Sequence, residues 1–432
     1  MFSWLRLYYA RVTLAVGDEL RLQIDKPAAG GWMIARENGQ VVLVSGAIPG
    51  ETVVARVERS GKGVVFARVV AVADASADRR DPFGDPLCGG CLYAHVAYPR
   101  QLELKGQVIA DALSRIGRVP MAAPVTVAAS QPEGYRMRAR LHVRGRRIGF
   151  FREGTHEICD PRATRQLLPA TCDVLDRVSA ALPAVGGPDV HEIEVSENIS
   201  GDQRALHLSA AAPAGSPTLA AIADVQGVTG ATLGTRILGG DPHVVDTLAV
   251  DGHQLAVRRH VQSFFQGNRF LVGSLVARVV EHVPPQAEVV DWYAGVGLFS
   301  VAAAAARGAR VRAVEGDRAA ARDLVFNASR FEGAVEAIAA PVESFVRASG
   351  RRIDVLIVDP PRTGMSREAL DRARALDADV VVYVSCDVAT LARDVRRFID
   401  AGYTLAAVDA FDLFPNTPHV ETVVKLERGV RL

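Results

Sequence analysis

From Ser263 onward, near-continuous apolar runs alternate with helical stretches. The runs are AEVVD (287–291), ARVRAVE (309–315), IDVLIVD (353–359), DVVVYVS (379–385) and ETVVKLE (421–427). A strand that is apolar at successive positions has no wet face. Helices between such strands return the chain to the same edge. The pattern predicts an α/β fold: a Rossmann-like parallel sheet covered by helices on both faces. Such sheets bind ligands at the carboxyl ends of their strands, so that edge is where chemistry is sought.

The preceding residues follow other rules. Val16 to Ala73 holds short strands (DELRLQI, QVVLVSG, TVVARVE, VVFARVVAV) broken by AAGG, ENGQ, IPGE and RSGKG. Short strands with glycine-rich turns predict a small β-barrel of the OB type, or another compact all-β module. Residues 74–86 are charged and proline-rich and read as a linker. The turn Cys88-Gly-Gly-Cys91 follows, then a helix over Tyr98 to Ile116. Within Tyr135 to Arg152, arginines alternate with apolar residues, so a strand there presents one basic and one buried face. Arg136, Arg138 and Arg140 have few acidic residues nearby in sequence and are candidate RNA contacts. The plainer alternative is a solvated, salt-bridged face. The expected division is a barrel over 11–75, a central α+β RNA-binding domain over 76–262 and the α/β domain over 263–432. Residues 1–10 read as a leader or an overlong start.

The net charge of the 432 residues is only +1. General electrostatic adhesion to nucleic acid is thereby excluded, and any such contact must be local. No run of 18 uncharged apolar residues occurs, so no membrane segment is expected. Five cysteines, an odd number without a secretory signature, predict reduced thiols in a cytoplasmic protein. A monomer is expected.

The first buried strand ends at Asp291 and leads into WYAGVGLFS. Gly295 and Gly297 permit a tight turn and close approach of a ligand to the backbone. The pattern is neither the full dinucleotide fingerprint nor a P-loop. The next strand ends at Glu315, whose carboxylate can accept both hydroxyls of a ribose. Strand, glycine loop, helix, strand and glutamate together predict an adenosine site. The alternative for Glu315 is a cap on the following helix. Asp359 ends the third strand, and Pro360 and Pro361 hold it out of helical geometry. Capping of the next helix falls better to Ser366, directly before REALDRARAL.

Cys386 follows the buried run VVVYVS and precedes the helical VATLARDVRRFI. By residue type alone it is a small core residue. At the working edge of a sheet and near a helix N-terminus, the local field is expected to favour its thiolate. Glu421 opens the last strand and alone reads as a surface charge. One reaction needs both groups. Uracil C5 is a poor nucleophile, but thiolate addition at C6 makes an enolate whose C5 can take a methyl group from a sulfonium donor. A base must then remove the C5 proton before the thiolate leaves.

With these residues in view, the chain resembles the bacterial RNA 5-methyluridine methyltransferases, a uracil-C5 family acting on tRNA and 23S rRNA. The matching motifs are SFFQGN (263–268), DWYAGVGLFS (291–300), VEGD (314–317), DVLIVDPPRTG (354–364), VVYVSCDVATLARD (381–394) and LFPNTPHVETV (413–423). Residues 16–74 resemble a TRAM domain, an RNA-binding OB barrel, with AIPGE (47–51) as its clearest mark. The resemblance implies a class I fold with S-adenosylmethionine contacts at Gln266, Tyr293, Glu315 and Asp359. It implies Cys386 as nucleophile, Glu421 as base and RNA as partner. Leu298 departs from the family, which often carries Asn after the glycines. The rRNA branch also holds an iron–sulfur cluster. Here Pro82 stands at its first cysteine, Cys88 and Cys91 match the CGGC pair, Cys172 matches the distal ligand, and Cys159 is a substitute for the missing one. Those four could hold a [4Fe–4S] cluster or zinc, or the site has decayed. The rival activities are cytosine-C5 and adenine-N6 methylation. The latter uses neither cysteine nor base, and Arg362 stands where an aromatic residue usually follows Pro-Pro. A non-catalytic RNA-binding relic is argued against by the intact Gln266, Glu315, Asp359, Cys386 and Glu421.

Overall fold

The alternating strands near the N-terminus close on themselves. The structure, a computed structural model, describes residues 14–182, 189–211, 217–346 and 352–429; the expected leader lies outside them. Strands β1 (Glu19–Pro27), β2 (Met33–Glu37), β3 (Gln40–Ser45), β4 (Thr52–Gly61) and β5 (Val64–Asp74) form a closed barrel in the order β1-β2-β3-β5-β4. Every second residue points inward, so Leu22, Ile24, Val53, Ala55, Val65 and Ala67 are buried. The sequence reading missed β2, a short strand with two charged residues among turn signals. Tyr93, Val96 and Leu104 complete the barrel's core from outside it.

The chain continues through α1 (Tyr98–Arg115), β6 (Val127–Ala128), β7 (Arg138–Arg144), β8 (Arg147–Phe151), β9 (Ile158–Cys159), α2 (Pro169–Ala181), β10 (Asp189–Glu197), β11 (Arg204–Ala211), α3 (Pro217–Ala220), β12 (Gly230–Leu233) and β13 (Arg236–Gly240). These strands, except β6, form a sheet in the order β13-β12-β11-β10-β7-β8-β9. Val174, Leu175 and Val178 of α2 pack on its Leu141, Ile193 and Leu206. Strands β14 (His243–Val250) and β15 (His253–His260) make a separate hairpin. The basic face of β7 is less free than its local sequence suggests. Antiparallel pairing sets Arg140 opposite Glu194 and His142 opposite Glu192, so acidic partners arrive from far along the chain.

The third sheet is built from β16 (Glu288–Trp292), β17 (Arg310–Glu315), β18 (Val335–Ala339), β19 (Val355–Val358), β20 (Val380–Ser385), β21 (Tyr403–Phe411) and β22 (Glu421–Arg428). The helices among them are α4 (Val272–Glu281), α5 (Leu298–Arg307), α6 (Arg318–Ala328), α7 (Arg367–Ala375) and α8 (Val388–Asp400). The strand order is β18-β17-β16-β19-β20-β22-β21-β6. Neighbouring residues of one strand enter opposite cores. Val289, Val311 and Val355 meet Leu275, Val279 and Val301 of α4 and α5. Val290, Val314 and Leu356 join the core of Ile109, Leu370 and Leu391, from α1, α7 and α8. Both faces are covered, as the apolar runs required. The sheet is not wholly parallel, however: β22 runs antiparallel to β20 and β21. The loop 412–420 is too short for the crossover that a parallel neighbour needs. The edge strand β18 and the next-to-edge strand β21 were not expected, because partial exposure breaks their apolar runs. Among the described residues no helix is long and apolar enough to cross a membrane.

A buried ion pair ties α1 to the 412–420 loop. Lys105 Nζ donates to Asp412 Oδ1 at 2.5 Å and to the Phe414 carbonyl at 3.1 Å. Both side chains are buried. Burial pushes the lysine pKa down and Asp412 draws it back. Lys105→Ala strands a buried carboxylate, and the expected loss is about 3–5 kcal/mol of stability. Urea unfolding checks this as a lowered midpoint; an unchanged midpoint would mean that Asp412 needs no cation.

Candidate active site

Five strand ends bring the expected residues to one edge. Tyr293 follows β16, Glu315 ends β17, Asp359 follows β19 and Cys386 follows β20. Glu421 begins β22, and the reversed direction of β22 sets its first residues beside the end of β20, with Thr422 opposite Ser385. Gln266 Nε2 donates to Asp359 Oδ2 at 2.9 Å. Both oxygens of Glu315 are oriented by backbone amides, from Gly295 at 2.7 Å and Asp317 at 2.6 Å. Asp317, rather than Glu315, caps α6, and Ser366 caps α7 as expected. Gly297 is the N-cap of α5 at φ 87°, and a Cβ there would come within 2.7 Å of Leu324. Over Gly295 nothing lies closer than the Phe264 carbonyl at 4.0 Å, so the loop has open space above it. Tyr293 holds a left-handed φ of 61°, a conformation aromatic residues seldom adopt.

Carboxylates crowd this edge. Asp291 accepts from Ser300 Oγ at 2.5 Å, while its buried Oδ1 has no partner. Burial, aided by the charge of Glu315 and opposed by Ser300, pushes its pKa up to about 7. Burial and the charge of Asp291 push Asp359 up to about 8. Burial and then Asp359 raise Glu421 well above the usual range, while Arg362 opposes them. The Cys386 thiol is pushed up to about 11 by burial and by Glu421, with the hydrogen-bonded Arg362 pulling the other way. The expected thiolate is therefore corrected: the free site holds a thiol. The first amides of α8 are already taken, because the Asp387 carboxylate accepts from Ala389 at 3.1 Å and Thr390 at 2.8 Å. Cys386 stands ahead of that cap. Arg362 was missed as a site residue. The available signal was its place on the stiff Pro-Pro turn that carries Asp359. His419 is lowered to about 4 by burial and by Arg362, so it is neutral.

The three candidate RNA arginines separate. Arg136 donates to Gln166 Oε1 at 2.8 Å. Its charge is felt by both Arg362 and His419, so it borders the cleft. Arg138 and Arg140 donate to Glu194 at 2.7 and 2.9 Å, against the expectation of few acidic neighbours. The cysteine set also departs from expectation. Cys88 and Cys159 form a disulfide, and Cys91 packs in the same buried cluster. Pairing of β9 with β8 and a bridge from Cys88 to Arg152 bring Cys159 to the CGGC turn. Cys172, expected as the distal ligand, lies on α2 in a different core. One pair is covalently joined and the fourth thiol is elsewhere, so a four-thiolate set for a cluster does not assemble. Among the described residues no group of three or more His, Cys, Asp or Glu is arranged to hold a metal ion.

The raised carboxyls make stability depend on pH. A carboxyl whose folded pKa lies above its unfolded value keeps a proton that the unfolded chain has already lost. Its contribution is present near pH 4 and lost as pH rises through the folded value, here about 7 for Asp291 and about 8 for Asp359. Asp359→Asn has no such proton to lose. Its stability should decline less steeply between pH 5 and 8, by at most about 1.4 kcal/mol per pH unit. Urea unfolding across that range measures the slope, and equal slopes would mean that Asp359 is ionised in the free protein.

Comparison with known proteins gives the family and the fold. Residues 346–429 match the family model described as tRNA (Uracil-5-)-methyltransferase, and residues 14–70 match the TRAM domain. A Halomonas elongata protein named 23S rRNA (uracil(1939)-C(5))-methyltransferase is 32% identical over 97% of this chain and 92% of its own length. An RNA methyltransferase of Streptomyces avermitilis is 31% identical over 96% of this chain and all of its own length. The solved structure of Pyrococcus abyssi tRNA (uracil-54, C5)-methyltransferase in complex with S-adenosyl-L-homocysteine is 24% identical, with a TM-score of 0.74, covering 94% of this chain and 99% of that one; it shares the fold. The chain belongs to the RNA uracil-C5 methyltransferase family.

Proposed function

We propose that this protein, a cytoplasmic monomer, methylates C5 of a uridine in tRNA or 23S rRNA through a covalent bond between Cys386 and C6. The observation that carries the reading is the convergence of Cys386, Glu421 and Arg362 on one carboxylate-rich sheet edge. S-adenosylmethionine, when bound, supplies a methyl group on a cationic sulfur. The donor set fits such a molecule. Asp291, Asp359 and Glu421 are crowded and raised, and a cation would relieve them. Glu315 suits a ribose, Gln266 and Asp359 the adenosine end, and Gly295, between Tyr293 and Gly297, leaves backbone open for the rest.

Cys386 gives its proton to solvent and its sulfur attacks C6 of the base. The C5–C6 π pair then becomes available at C5 to form the new carbon–carbon bond, for which the methyl–sulfur bond of a bound donor would break and leave its electron pair on the donor's sulfur. Arg362, hydrogen-bonded to the sulfur, steadies its negative charge. Glu421, which must first give up its own proton as the cationic donor is seated, next takes the C5 proton, the pair returns to C5–C6, and the Cys386 sulfur leaves. The base reaches the cleft flipped from its stack, at a cost of a few kcal/mol. Phosphate contacts offset that cost: Arg136 at the cleft, the TRAM barrel, and more weakly the ion-paired Arg138 and Arg140. The barrel over 11–75 and the central part over 76–262 thus grip RNA, and 263–432 carries the chemistry.

RNA containing 5-fluorouridine tests the mechanism, because fluorine at C5 cannot leave as a proton. With S-adenosylmethionine present, the wild type should form a protein–RNA adduct and Cys386→Ala should form none. An adduct that survives Cys386→Ala would refute the assignment. With ordinary RNA, Glu421→Gln should lose about 10²–10⁴-fold in turnover while retaining the adduct. Nucleoside analysis should give 5-methyluridine; 5-methylcytidine or N6-methyladenosine would move the protein to a rival reaction.

A further inference from the structure

Six arginines border two adjoining hollows away from the carboxylate-rich sheet edge, on α7, α8 and the turn after α1. One hollow, of about 340 Å³, is walled by Arg367, Arg374, Arg393 and Arg397 over Leu370. The next, of about 470 Å³, is walled by Arg118, Arg396 and the same Arg393 and Arg397, beside the exposed Ile116. The shared arginines make one continuous groove. Three of the six are compensated: Arg374 by Asp371 at 3.4 Å, Arg393 by Asp394 at 2.7 Å, and Arg396 by Asp400. Arg118, Arg367 and Arg397 are exposed and have no ion-pair partner among the described residues. Three uncompensated charges on one face stand out in a chain whose total is +1. Arg367 is also the first residue of α7, where the helix dipole disfavours a cation. Local stability does not explain that placement.

The groove is joined to the cleft. Arg393 donates to the carbonyls of Thr363 at 3.2 Å and Met365 at 3.3 Å, and Thr390 Oγ1 donates to that of Arg362 at 3.2 Å. The wall of the groove therefore holds the turn that carries Asp359 and Arg362. Along α8, Arg397 lies about 16 Å beyond Cys386 at 1.5 Å per residue, a distance a few nucleotides can span.

We propose that this groove binds the phosphate backbone of the substrate RNA, flanking the nucleotide in the cleft, through Arg118, Arg367 and Arg397. The proposal rests on RNA being the substrate. It names a surface outside the barrel and β7, with Ile116 as apolar footing for a ribose or base. The test is fluorescence anisotropy of a fluorescein-labelled 30-nucleotide single-stranded RNA. The triple variant R118A/R367A/R397A should bind roughly ten-fold more weakly, and its slope of log affinity against log salt should fall by about 2. The lysine triple R118K/R367K/R397K should restore both. Calorimetric binding of S-adenosylmethionine should stay unchanged, which separates a lost contact from a lost fold. In methylation of deproteinised RNA from a strain lacking the gene, KM should rise while kcat holds. An unchanged salt slope would overturn the proposal. So would polyglutamate displacing the RNA from the wild type and not from the alanine triple at matched charge, which would mark a surface for an acidic protein. The binding arm needs no methyl transfer, so it remains readable if the uridine-C5 reaction fails.

Discussion

Glu421 stands near Cys386 because β22 runs against β20. Had β22 been parallel, its first residue would sit at the opposite edge of the sheet. The eight residues of the strand, at about 3.3 Å each, would put it over 20 Å away. The reversal depends on the loop 412–420, and that loop is held from outside the sheet. Lys105 meets Asp412. Arg80 donates to Asn416 Oδ1 at 2.9 Å, and Gln101 both donates to that oxygen at 3.0 Å and accepts from the Asn416 amide at 2.9 Å. Asn416 itself has a left-handed φ of 62°, which Asn tolerates better than most residues. Segments far from the sheet edge thus determine where Glu421 is.

A sheet edge that gathers Asp291, Glu315, Asp359 and Glu421 cannot keep them all ionised in a buried space. Charges a few ångströms apart repel strongly where water is excluded. The structure shares out protons instead, raising Asp291, Asp359 and Glu421. Amide donors are aimed at Glu315 and the Gln266 amide at Asp359. These bonds orient the carboxylates without neutralising them. Such a site is organised for a cation and is costly to maintain without one.

Much of this was legible in the sequence. The buried strands announced themselves as unbroken apolar runs, and the alternation 18–24, 40–46, 52–58 and 64–72 gave the barrel. Cys386, Asp359 and Glu315 could be placed because they end such runs. What escaped notice was non-local. The direction of β22 depends on loop length and anchoring, not on the apolar run itself. The strands β18 and β21, at and next to the sheet's two edges, are half exposed and lack the signature. The acidic partners of Arg138 and Arg140 lie on β10, and only strand pairing reveals them. Cys159 and Cys172 are indistinguishable by spacing, and it is the β8–β9 pairing that brings Cys159 to the CGGC turn. Arg362 sat within a recognised motif, but its contact with the thiol appears only once β20 and the Asp359 turn lie side by side.

The raised thiol of Cys386 is the point at which local reasoning and the folded environment oppose each other. The helix field was expected to lower its pKa, but burial and neighbouring carboxylates outweigh it. With a pKa of about 11, roughly one molecule in 10⁴ carries the thiolate at pH 7. Burial is the first cause of that suppression, and the negative charges of Glu421 and Asp359 that add to it are ones a sulfonium would balance. A cation seated against Asp359 removes part of the repulsion that the thiolate feels from Asp359 and Glu421, while the pull of Arg362 stays in place. In the mechanism proposed above, thiolate formation is then favoured when the methyl donor is bound and disfavoured when it is not. An exposed thiolate would be open to oxidation or wasteful addition in the empty cleft. The same crowding that raises the thiol therefore couples its reactivity to the arrival of the donor.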